Sequence, residues 1–430
     1  MSVDHVSQQT SETPAETQAG TQAGTQAATQ AITGTRPSSV SFSRTRLIKA
    51  TAALTLLTIV TALCLLPLLR PPALPPGITR DQYNRAATDW KGLFRTEPSH
   101  PDTLMLLAET SLKRRQLPAA IACFSAIDSS HPRYGKSARL QEAQVFLQLN
   151  QAAAAEQSFK TFLSLAAAST TDTDPEQLAT ARRWLAWLMA VQLRPEDRVE
   201  WLDQLLNAGQ ADVYDAKQRY FPTLLIQTSS LGSTRLQKFL ANDPRNPVLL
   251  IAAARYETAE GRPEAALDTL KQLYRQHPDN LPALAALLEA LHELHRPDEL
   301  VALSTAAPPF HPAEPWLLTQ MRAEAAVHQQ HWADAETLFR AVLRHDPANP
   351  ACHMGLAASL AGQGRAVERE AILKRSLVLS RIRVQLSEVR PNAPEAARRL
   401  AEAASSLELT AAADTFSQLA DQMSATEPMP

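Results

Sequence analysis

The chain is predicted to be an all-α solenoid of stacked helical hairpins. Three observations carry that prediction. Gly261-Arg262-Pro263 returns as His295-Arg296-Pro297, then as Gln330-His331-Trp332 one residue late, then as Gly364-Arg365-Ala366. A fixed period near 34 residues is the mark of a stacked repeat, in which each unit contacts only its neighbours. Hydrophobic residues make up 45% of the 430 but aromatics only 5%, so the apolar content is mostly Ala and Leu, which suits close-packed helices. Only 12 glycines are present, and a Gly-rich phosphate-binding fold is not expected from so few.

Residues 1–45 are rich in Thr, Gln, Ser and Ala, with TQAG, TQAG and TQAA in tandem. So little apolar surface predicts a disordered tail. Residues 46–70 are expected to form one transmembrane helix, because Ala50 to Leu69 reads ATAALTLLTIVTALCLLPLL without a charge. That is about the length that crosses a bilayer. A cleaved signal is disfavoured by the long preceding region and the lack of an A-x-A site, and a lipoprotein signal by Leu63 before Cys64. Arg36, Arg44, Arg46 and Lys49 precede the span, whereas Arg70 and Arg80 follow it. The bias places the N-terminal tail in the cytoplasm and the C-terminal region outside it, periplasmic in a Gram-negative-type bacterium. Residues 71–79 form a stiff Pro-rich spacer.

The repeat is clearest at 247–280. Ala254 is a small residue on a first helix, Gly261 lies at the turn, and Pro263 opens a second helix. Ala266, Leu270 and Leu273 form its apolar stripe, and Pro278 stops it. The same frame holds Ala108, Ala120, Phe124 and Ile127; Ala143, Ala155, Phe159 and Phe162; and Ala323, Ala335, Phe339 and Val342. At 350–384 Leu356, Ala357 and Leu360 fit, and at 393–424 Leu400, Ala412, Phe416 and Leu419 fit. Tyr83, Ala86, Trp90 and Leu93 match a lone second helix. This pattern resembles the tetratricopeptide repeat over about 80–424. The resemblance implies about nine helix pairs plus an N-terminal half unit. A first subarray is expected at 80–169, an inserted loop at 170–178, and a second subarray at 179–424 with weak repeats at 179–246. Residues 425–430 form a C-terminal tail.

Little in the sequence points to catalysis. His292-Glu293-Leu294-His295 lacks the i, i+4 histidine spacing of a zinc protease. Gly362-Gln363-Gly364 lies at a repeat turn with no strand before it. No CxxC joins Cys64, Cys123 or Cys352, and the last two are expected to be small packed residues. A net charge of -2 and short basic runs (Lys113-Arg114-Arg115, Arg398-Arg399) give no footprint for nucleic acid. No catalytic, metal or cofactor site and no small-molecule substrate are expected.

The resemblance implies a concave groove lined by the first helix of each pair, taking a protein or peptide partner. Residues placed on it by the family frame are Met105, Glu109, Ile251, Arg255, Glu289, His292, Glu324 and His328. Clamps for a chaperone's carboxylate carry Lys and Asn where this chain has Leu106 with Glu109 and Ala252 with Arg255, which argues against that role. The layout is similar to single-span bacterial proteins with periplasmic tetratricopeptide repeats, and implies a scaffold or ancillary chaperone. An envelope-complex assembly factor, for example in cytochrome c maturation, is the alternative. The accessory arm of an enzyme is a remote third.

Overall fold

The left-handed turn of each hairpin explains the period. In the computed structural model a residue with positive φ ends the first helix of each pair: Arg115, Asn150, Leu193, Gly261, His295, Gln330, Gly364 and Glu408. At Gly261 the amide donates to the Thr258 carbonyl at 3.0 Å and the next amide, Arg262, to Glu257 at 2.9 Å. The same two bonds recur at His295 and Arg296, at Gln330 and His331, and at Gly364 and Arg365. This Schellman closure satisfies the last carbonyls of the helix and reverses the chain in three residues. The repeating tripeptide of the sequence is this turn.

The structure describes residues 101–169, 173–223, 230–388 and 393–426, all in the compact unit Leu74–Pro430. The expected tail, transmembrane helix, Pro-rich spacer and half unit before residue 101 lie outside the described residues, as does the chain's end from 427. Among the described residues there are 18 helices and no strand, and no helix is long and apolar enough to cross a membrane.

The first pairs are α1 (Pro101–Lys113) with α2 (Leu117–Ala126) and α3 (Gly135–Gln148) with α4 (Ala152–Ala168). Ala108, Ala120, Ala143, Ala155, Phe124 and Phe159 are all fully buried. Small side chains let the paired helices approach, and the phenylalanines fill the space against the next unit. The expected loop at 170–178 is shorter than its span, because α5 (Pro175–Val191) starts inside it, capped by Asp174.

After α5 the regular succession lasts for one more helix. The helices α6 (Pro195–Asn207) and α7 (Val213–Tyr220) come next, then α8 (Ser230–Asn242). Yet α8 returns to the core of α3, α4 and α5: Leu236 and Phe239 share a buried cluster with Phe159, Leu185 and Leu188. Trp187 of α5 meets Phe239 edge-on at 6.2 Å, and Arg235 Nη2 donates to the Leu147 carbonyl at 2.7 Å. The helix α5 nevertheless pairs with α6 through the left-handed turn at Leu193, as in the other hairpins, and Ala186 packs on Leu202 and Leu205. The weak region at 179–246 thus holds one regular hairpin, α5 with α6, then an insertion carrying α7, then α8 packed on α5 as an additional helix.

The array continues with α9 (Pro247–Ala259) and α10 (Pro263–Gln276), α11 (Leu281–Glu293) and α12 (Pro297–Ala306), α13 (Trp316–His328) and α14 (Trp332–His345), and α15 (Pro350–Gly362) and α16 (Ala366–Glu388). It closes with α17 (Pro394–Ser406) and α18 (Thr410–Thr426). Asn246, Asn280 and Asn349 cap α9, α11 and α15 through their side-chain oxygens. The helices α15 and α14 approach so closely that a Cβ on Gly355 would lie 2.1 Å from the Phe339 ring. Cys123 and Cys352 are buried free thiols, as the packing reading expects.

The insertion crosses to the far end of the array. Val213, Ala216 and Phe221 join the buried cluster of Leu386, Leu400, Ala404 and Phe416. Phe221 stacks on Phe416 at 6.3 Å, and Lys217 Nζ donates to the Leu386 carbonyl at 3.0 Å.

Two stability predictions follow from this packing. Phe339→Ala should cost about 3–5 kcal/mol, since the ring is fully buried against Gly355 and leaves a cavity. Urea unfolding followed by circular dichroism measures it, and a loss below about 1 kcal/mol would contradict the close packing. His295→Gly should be neutral or stabilising by up to about 1 kcal/mol, because it removes a Cβ from a left-handed residue. The same change at Gly-free helix positions should destabilise, which makes the pair diagnostic.

Candidate functional site

The first helices α9, α11 and α13 lie side by side, and equivalent positions on them meet. Arg255 and Glu289, 34 residues apart, form an ion pair with Nε to Oε2 at 2.8 Å. Arg255 also donates from Nη1 to the Leu193 carbonyl at 2.9 Å. Leu193 is the left-handed residue that closes the hairpin of α5 and α6, at φ 53°. Glu196 accepts from the Trp316 amide at 2.7 Å, so the segment 192–197 is tied to both α9 and α13. Burial pushes the Glu196 carboxyl up from its usual range.

Beside this strap a cavity of about 500 Å³ opens between α9, α11 and α13. Arg255, Glu289 and His292 line it, together with Trp316, Gln320 and Asp346. Asp346 ends α14's turn into α15 and is 1% exposed. It accepts from the Thr223 hydroxyl through Oδ2, while Oδ1 has no partner. Burial raises its pKa to about 6. Burial likewise lowers the pKa of His292. Glu260, Glu289, Glu293 and Asp346 stand against one arginine on this wall, so the cavity is acidic.

The eight residues expected on the groove therefore separate. Arg255, Glu289 and His292 converge on the 500 Å³ cavity. Ile251 is 8% exposed and lies with Arg255 on an adjoining cavity of about 290 Å³ beneath the strap. Glu324 is half-buried and His328 exposed, and neither lines these cavities. At the other end, Met105 is 7% exposed and packed with Leu104, Ala108 and Phe124, so its side chain belongs to the core of the first pair. Glu109 beside it is half-buried.

Leu193, Glu196, Thr223 and Asp346 were not reached from the sequence. Three of them come from the stretch 192–223 and meet partners 62 to 123 positions away. The available signal was negative: the period fails where they lie. Among the described residues no group of three His, Cys, Asp or Glu side chains is placed to hold a metal ion.

Residues 321–381 match the family model for the tetratricopeptide repeat. No curated protein matches the chain in sequence. Among solved structures, the chain is similar to a tetratricopeptide repeat protein from Parabacteroides merdae, at 12% identity and TM-score 0.29 over 60% of this chain and 98% of that one. It is also similar to human IFIT1, solved as a dimer with m7Gppp-AAAA, at 12% identity and TM-score 0.34 over 80% and 81%. The Cut9-Hcn1 hetero-tetramer of the APC/C matches at 14% identity and TM-score 0.31 over 80% and 82%. Likeness at this level bears on neither partner nor ligand.

Glu324 yields a pH prediction. Burial alone raises its pKa to about 7, and no cation pairs with it among the described residues. Above pH 7 the folded chain carries a poorly solvated carboxylate. As pH falls from 7 towards 4.5 the folded state takes up a proton that the unfolded chain does not, and the penalty disappears. Glu324→Gln should therefore stabilise by about 1–3 kcal/mol at pH 8 and by nothing at pH 4.5. Chemical denaturation at both pH values tests it, and an equal effect at the two would refute the assignment.

Proposed function

We propose that this protein is a protein-binding scaffold or ancillary chaperone, held at a membrane by residues 46–70 and presenting its repeats outside the cytoplasm. Helical-repeat arrays of the tetratricopeptide kind are generally protein-interaction scaffolds, and the match over 321–381 supports that part. The anchor rests on the uncharged run from Ala50 to Leu69, and the orientation on the basic residues before it.

The observation that carries the reading is the acidic cavity between α9, α11 and α13. Glu260, Glu289, Glu293 and Asp346 line it beside the apolar walls of Trp316, Leu317 and Met321. That surface suits a Lys or Arg side chain flanked by apolar residues in an extended partner segment. The strap 192–197 narrows the groove next to it. A partner is read here by a local pocket rather than along the full concave face. No enzymatic role is proposed.

Site-specific photo-crosslinking in intact membranes tests this. A crosslinking residue at Gln320, on the cavity wall, should give discrete adducts, while one at exposed Asp268 on α10 should not. One dominant partner would favour a dedicated scaffold, and many exported chains a chaperone. Identical patterns at the two sites, or none, would overturn partner binding in this groove. Protease added from outside should remove residues 80–430 but spare the N-terminal tail; the reverse result would invert the topology.

A further inference from the structure

The region from α5 to α8 encloses a second cavity, of about 910 Å³. Its walls come from α5, α6, α7 and α8, with Tyr256 of α9. Trp184, Trp187 and Tyr214 supply aromatic surface, and the two indoles stand edge-to-face at 5.6 Å. Trp184 and Tyr214 remain 38% and 53% exposed, so the cavity is open at that side.

Three arginines line it, and their states differ. Arg183 is satisfied: Nε pairs with Asp215 Oδ2 at 2.9 Å, and Nη2 donates to the Gln210 carbonyl at 2.7 Å. Arg235 donates from Nη2 to Leu147, lies 5.6 Å over the Trp187 ring, and leaves Nε without an acceptor. Arg198 is the anomaly. It is 4% exposed, its Nε has no acceptor, and it forms no ion pair or side-chain hydrogen bond among the described residues. The nearest carboxylate chemistry is already used, because Asp215 also accepts from the Asp212 amide in a capping box. Burial pulls the Arg198 pKa down to about 10, which still leaves it charged at neutral pH.

A buried guanidinium whose Nε has no acceptor among the described residues costs free energy that those residues do not return. The lining carries Arg183, Arg198 and Arg235 against Asp212 and Asp215, an excess of one positive charge. The volume falls in the range of sites for small organic ligands, and the walls are mainly apolar with a few convergent donors. We propose that this cavity binds a monoanionic aromatic ligand, its carboxylate on Arg198 and its ring against Trp184 and Trp187. The carboxylate could belong to a free small acid or to the C-terminal residue of a peptide; the chemistry is shared. The site is separate from the acidic groove and does not rest on its reading.

Isothermal titration of the full chain in nanodiscs tests the proposal, with indole-3-propionate against its neutral amide. The acid should bind saturably and at least tenfold more tightly than the amide. A Phe-Phe-ended hexapeptide, as free acid and as C-terminal amide, forms the second arm. Preference for the free acid in the first arm identifies a small-molecule source, and preference only in the second a chain terminus. Arg198→Met should abolish the acid-over-amide preference while raising the melting temperature, since it removes an unpaired buried charge. If that variant fails to fold, Trp184→Ala at the open side should weaken acid binding at least fivefold. Equal binding of acid and amide in both arms, no binding up to millimolar concentration, or a preference that survives Arg198→Met would overturn it.

Discussion

The structure depends first on the left-handed residue that ends each first helix. Its two amide bonds reverse the chain in a fixed number of residues, so the second helix always starts in the same phase. That phase decides which side chains face inward: Ala266, Ala335 and Ala155 at the close approach, and Leu270, Phe339 and Phe159 one turn later. The constraint is conformational rather than chemical. Glycine meets it at 261 and 364, but histidine, glutamine and glutamate meet it at 295, 330 and 408. Each of those gives up stability to hold a left-handed backbone. The surrounding helix packing over-determines the turn and makes the cost bearable.

A stack built this way tolerates insertions, because each pair touches only its neighbours. The chain uses that tolerance between α5 and α8. There, the turn at Leu193 closes the hairpin of α5 and α6, and α7 intervenes before α8 returns to the core of α4 and α5. What is inserted does not hang free. Phe221 and Tyr220 pack on Phe416, and Thr223 donates to Asp346. The far end of the array is thereby joined to its middle. A simple solenoid can fray unit by unit, whereas these contacts make the closing pair depend on the insertion.

How much was legible follows from contact range. The hairpins were readable because their determinants, Ala254 with Gly261, Ala266 and Leu270, lie within a few turns of each other. Placing Arg255, Glu289 and His292 on one face was possible for the same reason: equal steps along a periodic array bring equivalent positions together. Met105 was misjudged by that logic, because at the first described pair the same frame position packs into the core of Ala108 and Phe124. The place of α8 was hidden: Leu236 and Phe239 carry a second-helix pattern, yet they pack on the core of Phe159, Leu185 and Leu188, whose hairpins are already complete. Asp346 and Thr223, or Arg198 and its empty surroundings, involve separations that no local pattern encodes.

The strap also limits what the groove can do. Segment 192–197 is covalently part of the array, so its effective concentration at α9 and α13 exceeds that of a free partner at cellular abundance. To displace it, a partner would have to replace the Leu193 carbonyl on Arg255 and the Trp316 amide on Glu196, and leave no buried charge unpaired. Removing one member of such a set costs more than a typical surface contact returns. A partner therefore gains most by entering the space the strap leaves open. That space is the acidic cavity, where Asp346 Oδ1 still lacks a donor. The strap thus converts a long, weakly specified concave face into a short site with one defined electrostatic demand.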